Sequence, residues 1–377
     1  MSRRPLAHLT ARIVLAASVA VLAACSSSKP KPTPLEPLTP KIAGKLVWQA
    51  RVDSVQFALG VATPRNGRFV AAGSDGGVVA LEAATGREVW RAQIGEKLAA
   101  GVGSDGRWSA VVTTGNELVV LEAQRQSWRR RLPSRTITPP LVAGERVFVM
   151  TVDRVVHAFD AVDGRKLWTL QRSGDALTLG QAGVLTAVGD TLVVGQGVRL
   201  TGVDPLDGKL RWEVPMANPR GTNEVERLAD LVGPPVRHGD VLCLRAFQAA
   251  VGCADARRGA LLWSRQAGGL EAVGGTEAVI VGADASDRIT AWKAANGDLA
   301  WTQEKLLYRG LSGMLGVGRS IIFGDSEGQV HFLDRDSGQP VLRLPTDGSA
   351  VVGAPVVVDQ TILVVTRGGG LFAFRPE

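Results

Sequence analysis

The side chains with the most chemistry to offer are three cysteines and four histidines. Cys25 ends an apolar run, "IVLAASVAVLAA", that follows Arg3, Arg4 and Arg12. A charged start and a short apolar stretch make a secretory signal, one too short to span a bilayer comfortably. Its last four residues, "LAAC" at 22–25, match the bacterial lipobox, in which small residues admit a signal peptidase to the bond before a cysteine whose sulfur carries a diacylglycerol. The chemistry predicted for Cys25 is therefore lipidation; the alternative is an ordinary cleavage site, or an uncleaved anchor, beside an incidental cysteine. Ser26 follows in place of aspartate, which makes the outer membrane the expected destination.

Cys243 and Cys253 fall in "VLCLRAFQAAVGC", which aligns with the hairpin "VFVMTVDRVVHA" and sets the two on adjacent strands facing one another. In an oxidising compartment they make a possible disulfide; otherwise they are two small buried hydrophobes. His8, His157, His238 and His331 show no metal-ligand spacing, and acidic turns such as "DRDSG" lack the glycine and terminal glutamate of a calcium loop. "GVGSDG" at 101–106 satisfies G-x-G-x-x-G but precedes the strand-like "RWSAVVTT" rather than a helix, so it reads as a turn. No "GxSxG" elbow is present. These patterns predict no catalytic residue, no metal and no cofactor.

The elements that must position these residues follow from a repeat. Trp48, Trp90, Trp128, Trp168, Trp212, Trp263 and Trp301 recur at intervals of 42, 38, 40, 44, 51 and 38 residues. A period near forty indicates a propeller or a solenoid. The approach to each tryptophan repeats too, as in "LEAATGREVW", "AFDAVDGRKLW" and "GVDPLDGKLRW": an apolar run, a turn closed by glycine, another strand. One unit reads as four short strands, "PPLVA", "RVFVM", "VVHAFD" and "RKLWTL", which is a propeller blade. Seven segments end near Trp90, Trp128, Trp168, Trp212, Trp263, Trp301 and Leu342, while the C-terminus supplies three strands without a fourth and "GKLVWQARV" supplies a fourth without the other three. The sequence thus predicts an all-β, eight-bladed propeller of four-stranded antiparallel blades over 44–377, closed by the N-terminal strand joining the C-terminal blade; seven blades is the alternative. The tryptophans are read as packing between blades. Ahead of the propeller come the signal peptide at 1–24 and, at 25–43, the lipidated Cys25 with a Pro/Ser-rich stretch read as an extended tether. Loss of the signal removes three arginines and no acid, lowering the formal charge from +7 to +4, so a nucleic-acid footprint loses its support.

The repeated A-x-D-x-x-[TD]-G-[RK]-x-x-W pattern resembles the pyrroloquinoline-quinone type of propeller repeat from about residue 44 to the end. That resemblance implies a propeller and brings quinoprotein dehydrogenases into view. Those enzymes resemble longer chains with adjacent cysteines, whereas nine residues separate Cys243 from Cys253 here. Lipobox, Pro-rich stretch and eight such blades together resemble the BamB family of lipoproteins of the outer-membrane β-barrel assembly machinery. The sharpest match is "GTNEVERLAD" at 221–230, in the longest interval between tryptophans, which carries the family's G-x-x-E-[IV]-[ED]-R-L-x-D pattern at Gly221, Glu224, Val225, Glu226, Arg227, Leu228 and Asp230. The resemblance implies a non-enzymatic scaffold that binds the periplasmic domains of the barrel-forming subunit, faces the periplasm from the outer membrane, and has nascent outer-membrane proteins as a further candidate partner. The contact residues it carries over are Leu177 and Leu179 in "ALTLG", with Glu224, Arg227 and Asp230; Gly180 and Val232 depart from the family's arginine and aspartate. Asn223 with Glu226 is read as a capping-box-like start to a short helical turn, on which Val225, Leu228 and Val232 share a face and Glu224, Arg227 and Asp230 make polar contacts. Alternatively, Arg227 merely pairs with Glu224. A quinoprotein relative, or a propeller adaptor for another envelope complex, are the other readings of the whole chain.

The lipobox yields a direct test. Mass spectrometry of the mature protein should find residue 25 first and acylated, and Cys25→Ser should leave the precursor unprocessed by the lipoprotein peptidase. An unmodified residue 25 in the wild type refutes lipidation.

Overall fold

A computed structural model describes residues 30–57, 61–171, 179–218 and 229–376. Among the described residues every regular element is a strand, and the strands form eight four-stranded antiparallel sheets. Blades 1 to 7 each use four consecutive strands, within 61–93, 103–131, 141–170, 185–215, 231–266, 274–303 and 315–345. Blade 8 is composite. Val356–Val358, Thr361–Val365 and Gly370–Pro376 come from the C-terminus, and Gly44–Arg51 completes the sheet by pairing with Gly370–Pro376. The glycine-rich stretch at 101–106 makes a short strand and a turn with Gly106 at φ 98°, followed by the strand Trp108–Val112 and not by a helix.

A lone blade cannot bury both faces of its sheet, so the apolar residues of each blade must be covered by its neighbours. Eight apolar clusters do this, each drawing its buried residues from two adjacent blades. One of them joins Phe69 and Val79 of blade 1 to Leu363 and Leu371 of blade 8, so the ring is closed.

The tryptophans lock these seams. Trp48, Trp128, Trp168, Trp263 and Trp301 each donate the indole N–H to a backbone oxygen in the following blade, at 2.7–3.0 Å. In each case the ring lies over the glycine of that blade's third turn; a Cβ on Gly164 would stand 2.6 Å from the Trp128 ring. The repeated glycine is therefore required twice, by its positive φ (70° at Gly164) and by the ring above it. Burying a tryptophan removes about 150–250 Å² from water, roughly 4–6 kcal/mol gross. Trp212 lies over Gly259 in the same way, without the indole hydrogen bond among the described residues; two further departures have local causes. Trp90 faces blade 2, whose corresponding turn is shortened so that Glu122 pairs directly with Arg125 and Ala123 takes φ 52°; no glycine is available there. Blade 7 carries Leu342 in place of tryptophan because blade 8 has no such turn: its third and fourth strands belong to opposite chain ends. Leu342 instead abuts Gly44.

Cys243 and Cys253 are directly opposite in register on neighbouring strands of blade 5, with Cα atoms 4.0 Å apart, and are joined as a disulfide within the cluster between blades 5 and 6. The proline-rich stretch behaves differently from its composition. Residues 33–41 are without regular structure, yet they lie against the propeller: the Thr33 N–H donates to Leu307 O at 2.9 Å, the Lys41 N–H donates to Val341 O at 2.8 Å, and Leu35 packs on the cluster between blades 6 and 7.

A matched pair of glycines isolates the seam. Gly144 also has positive φ (58°) but nothing within 4 Å of an added Cβ. Gly144→Ala should cost about 1 kcal/mol for the backbone alone, whereas Gly164→Ala should cost about 1–3 kcal/mol more for the clash with Trp128. Urea unfolding of the two variants tests this; equal losses would mean the ring-on-glycine contact is incidental.

Candidate functional site

Because strands alternate in direction, each blade sends its first and third turns to one face of the ring, here the turn face. The second turn and the connection to the next blade go to the other, the loop face. The tryptophans serve the turn face. The loop face is held by polar side chains. In six of the eight second turns the last residue of the turn takes positive φ, at Gly76, Asn116, Arg154, Asp287, Gly328 and Gly369, while blades 4 and 5 place it earlier in the turn, at Gly197 and Gln248. Glycine, asparagine and aspartate tolerate this conformation, while a long side chain pays roughly 1–2 kcal/mol for it. Arg154 and Gln248 therefore need a compensating contact, and both have one. Gln248 accepts the Gly269 N–H through Oε1 at 3.1 Å, and Asp287 accepts the N–H groups of Gly310 and Leu311, so each pins the connection that follows its own blade.

Arg154 reaches further. Its Nη2 donates to Asp230 Oδ1 at 2.8 Å, and the other oxygen, Oδ2, accepts the Leu179 N–H at 2.9 Å. Asp230 ends the connection into blade 5 and Leu179 lies in the connection into blade 4, so one carboxylate ties two loops to the second turn of blade 3. The backbone around Asp230 is fixed as well, since its carbonyl accepts the Phe247 N–H and Leu231 donates to Gly197 O, both at 2.9 Å. The Arg154 carbonyl accepts from Gln196 Nε2 at 2.7 Å, which holds the turn from below. The side chains of Arg154 and Asp230 are only 16% and 19% exposed. Around them is a shallow cleft lined by Ile137, Met150, Leu179 and Leu231, with Gly180 exposed at its lip.

Of the residues singled out by sequence, Leu179 and Asp230 are brought into direct contact. Leu177, Glu224 and Arg227 lie outside the described residues, as do Cys25 and the expected helical turn up to Leu228. Val232 is not part of a helical face: it sits buried in the strand Leu231–His238, opposite Arg245. Asp230 also differs from an exposed polar contact, because both carboxylate oxygens are already engaged within the chain. Arg154 escaped the sequence reading altogether. Its signal is positional: an arginine stands where other blades place glycine, asparagine or aspartate, and such departures mark sites where another contact over-determines the backbone.

Elsewhere the loop face holds buried ions with fully internal partners. Arg245, wholly buried, donates to the carbonyls of Glu271, Gly268 and Ala283, and burial pushes its pKa down to about 10. Burial likewise lowers the pKa of His157, His238 and His331, which are dispersed over blades 3, 5 and 7. Among the described residues no cluster of histidine, cysteine and carboxylate groups has the arrangement of a metal site.

A family model described as "Outer membrane protein assembly factor BamB" matches residues 41–99 and 74–303. A relative of that name from Burkholderia pseudomallei is 36% identical, covering 99% of this chain and 99% of its own. A second, from Bordetella pertussis, is 32% identical and covers 92% and 90%. The crystal structure of BamB from Moraxella catarrhalis superposes with a TM-score of 0.79 at 21% identity, over 88% of this chain and all of that one. A quinohemoprotein alcohol dehydrogenase from Comamonas testosteroni superposes at 0.66 with 13% identity, a likeness of fold alone.

The tie at Asp230 has a measurable strength. Asp230→Ala removes a charged pair and the acceptor of a backbone N–H, and should destabilise the protein by about 2 kcal/mol or more. Asp230→Asn, which keeps an acceptor for Leu179, should lose about half of that. Denaturant unfolding gives the totals, and amide exchange at Leu179 should accelerate only in the alanine variant.

Proposed function

Since the chain belongs to the BamB family of outer membrane protein assembly factors, we propose that it is a lipid-anchored, periplasm-facing scaffold of the β-barrel assembly machinery, without catalytic activity of its own. It binds the periplasmic domains of the barrel-forming subunit and so assists insertion of β-barrel proteins into the outer membrane. The observation that supports a docking role at this place is the Arg154–Asp230–Leu179 tie. A loop that only connects blades 3 and 4 has no need of a mostly buried carboxylate from the next connection to fix its backbone. A loop that presents a side chain to a partner does, because ordering it beforehand removes an entropic cost from binding.

On this reading Leu179, with Leu177 two residues earlier, supplies apolar contact, and Glu224 and Arg227 supply charge. Asp230 contributes by positioning Leu179. Its own charge is neutralised by Arg154, so it adds little direct attraction to a partner. The pairing of a central apolar anchor with a polar rim is the usual division of labour at interfaces.

Leu179→Asp tests this reading with little effect on the fold, since the Leu179 contact to Asp230 uses only the backbone N–H. Capture of the barrel-forming subunit from detergent-solubilised membranes, followed by titration with its purified periplasmic domains, should show affinity reduced by roughly 30-fold or more, the loss of a hot-spot side chain worth about 2 kcal/mol. Wild-type affinity in a stably folded Leu179→Asp protein refutes the docking site.

A further inference from the structure

The segment ahead of the propeller is built into it. Thr33 is bound at both its polar backbone groups: its N–H donates to Leu307 O at 2.9 Å and its carbonyl accepts from Arg309 Nη1 at 3.0 Å. Arg309 is no surface residue. Its side chain is 3% exposed, and it also donates to the wholly buried Asp325 at 2.8 Å and to Glu327. Asp325 in turn contacts His331 Nε2 at 3.0 Å and accepts the N–H groups of Glu327 and Gln329, so the acceptor of Arg309 is held on several sides. Three residues on, Glu36 pairs with Lys305 at 2.8 Å and its carbonyl accepts from Arg343 at 3.2 Å, with Leu35 between them on the cluster of blades 6 and 7. At the far end Lys41 donates to Val341 O.

These contacts give the segment a direction. Leu307 and Arg309 belong to the connection between blades 6 and 7, and Asp325 to Glu327 to the second turn of blade 7, all on the loop face. Val341 is near the start of the fourth strand of blade 7, at the turn face. The chain therefore enters at the loop face, descends along the outer edge of blade 7, and returns upward as Gly44–Arg51 in blade 8. Only residues 26–32 separate Thr33 from Cys25. Seven residues span at most about 25 Å.

We infer that residues 33–41 are a strap that fixes the orientation of the propeller on a lipid surface, with the loop face at blades 6 to 8 turned toward the membrane. This rests on the lipid-anchor reading of Cys25. A free tether of 18 residues would let the ring tumble; a strap clamped at Thr33 leaves a leash comparable to the thickness of the ring itself, since a five-residue strand covers about 17 Å. The partner surface is thus lipid, and the face presented to it is chosen by Arg309, Glu36 and Leu35.

Two single-cysteine labels in blade 8 test the orientation, because Cys243 and Cys253 are bonded to each other and Cys25 is taken up by lipid. Arg367 is exposed in the second turn, on the loop face, and Asp359 in the first, on the turn face. Fluorophores at Arg367→Cys and Asp359→Cys in the lipidated protein, reconstituted in phosphatidylcholine vesicles carrying a headgroup nitroxide, should be quenched unequally, strongly at 367 and weakly at 359. Adding Thr33→Pro, Leu35→Asp and Glu36→Ala, which remove the bond to Leu307 O, the apolar contact and the Lys305 pair but leave the buried Arg309–Asp325 pair untouched, should abolish the difference. Equal quenching of the two labels in the otherwise wild-type protein, or a difference that survives release of the strap, overturns the inference. Failure of the anchor reading is separately visible: residue 25 would carry no lipid by mass spectrometry. In that event amide exchange in the unlipidated wild-type protein still decides the strap, with protection at Thr33 and Lys41 expected and exchange at unprotected rates refuting it.

Discussion

The pairing of Gly44–Arg51 with Gly370–Pro376 is the constraint on which the rest of this structure depends. Each blade is too thin to bury its own faces and relies on both neighbours, so the arrangement is stable only if the first blade also finds a last one. The two chain ends meet that requirement by sharing a sheet. The apolar cluster that contains Phe69 of blade 1 and Leu363 of blade 8 therefore closes the ring by the same kind of packing as the other seven. Where the join leaves a gap in the pattern, at Leu342, the deviation follows from the topology: a tryptophan there would have no turn glycine to cover.

The two faces of the ring are secured by different physics. On the turn face, indoles lie on glycines and donate to backbone oxygens, a contact repeated nearly unchanged and indifferent to what the blade does elsewhere. On the loop face the fastenings are individual: Gln248 to Gly269, Asp287 to Gly310, Arg154 to Asp230, Arg245 to three carbonyls. Individual fastenings allow individual loops. A face whose connections are each held by a different side chain can vary one connection without disturbing the next, and this is where a rigid scaffold carries its binding function.

That division also explains what could be read from sequence. The blade count, the closing strand and the packing role of the tryptophans were legible because they repeat, and a repeat is visible in a single chain. Cys243 and Cys253 were legible because their hairpin aligns with one in another blade. Leu179 and Asp230 stood out through a local motif, but their contact did not, since 51 residues separate them and the third partner, Arg154, lies a further 25 residues upstream of Leu179. The packing of residues 33–41 on the propeller was not legible, for a related reason. A stretch of proline, lysine and threonine has too little apolar surface to fold alone, and what retains it is Arg309, some 276 residues away and itself anchored to Asp325.

A ring closed by its two ends has an order of events written into it. The strand Gly44–Arg51 is among the first parts of the folded domain to be synthesised, and its partner, Gly370–Pro376, is the last. During all the time between, blades can dock in succession from Val61 onward, but the opening strand has no ladder to join and the first blade leaves one flank uncovered. The domain is thus an incomplete crescent until its final residues are available, and any chain cut short by a few residues at the C-terminus is left without its clasp. Closure therefore waits on the last strand of the domain: a chain lacking Gly370–Pro376 cannot complete the ring.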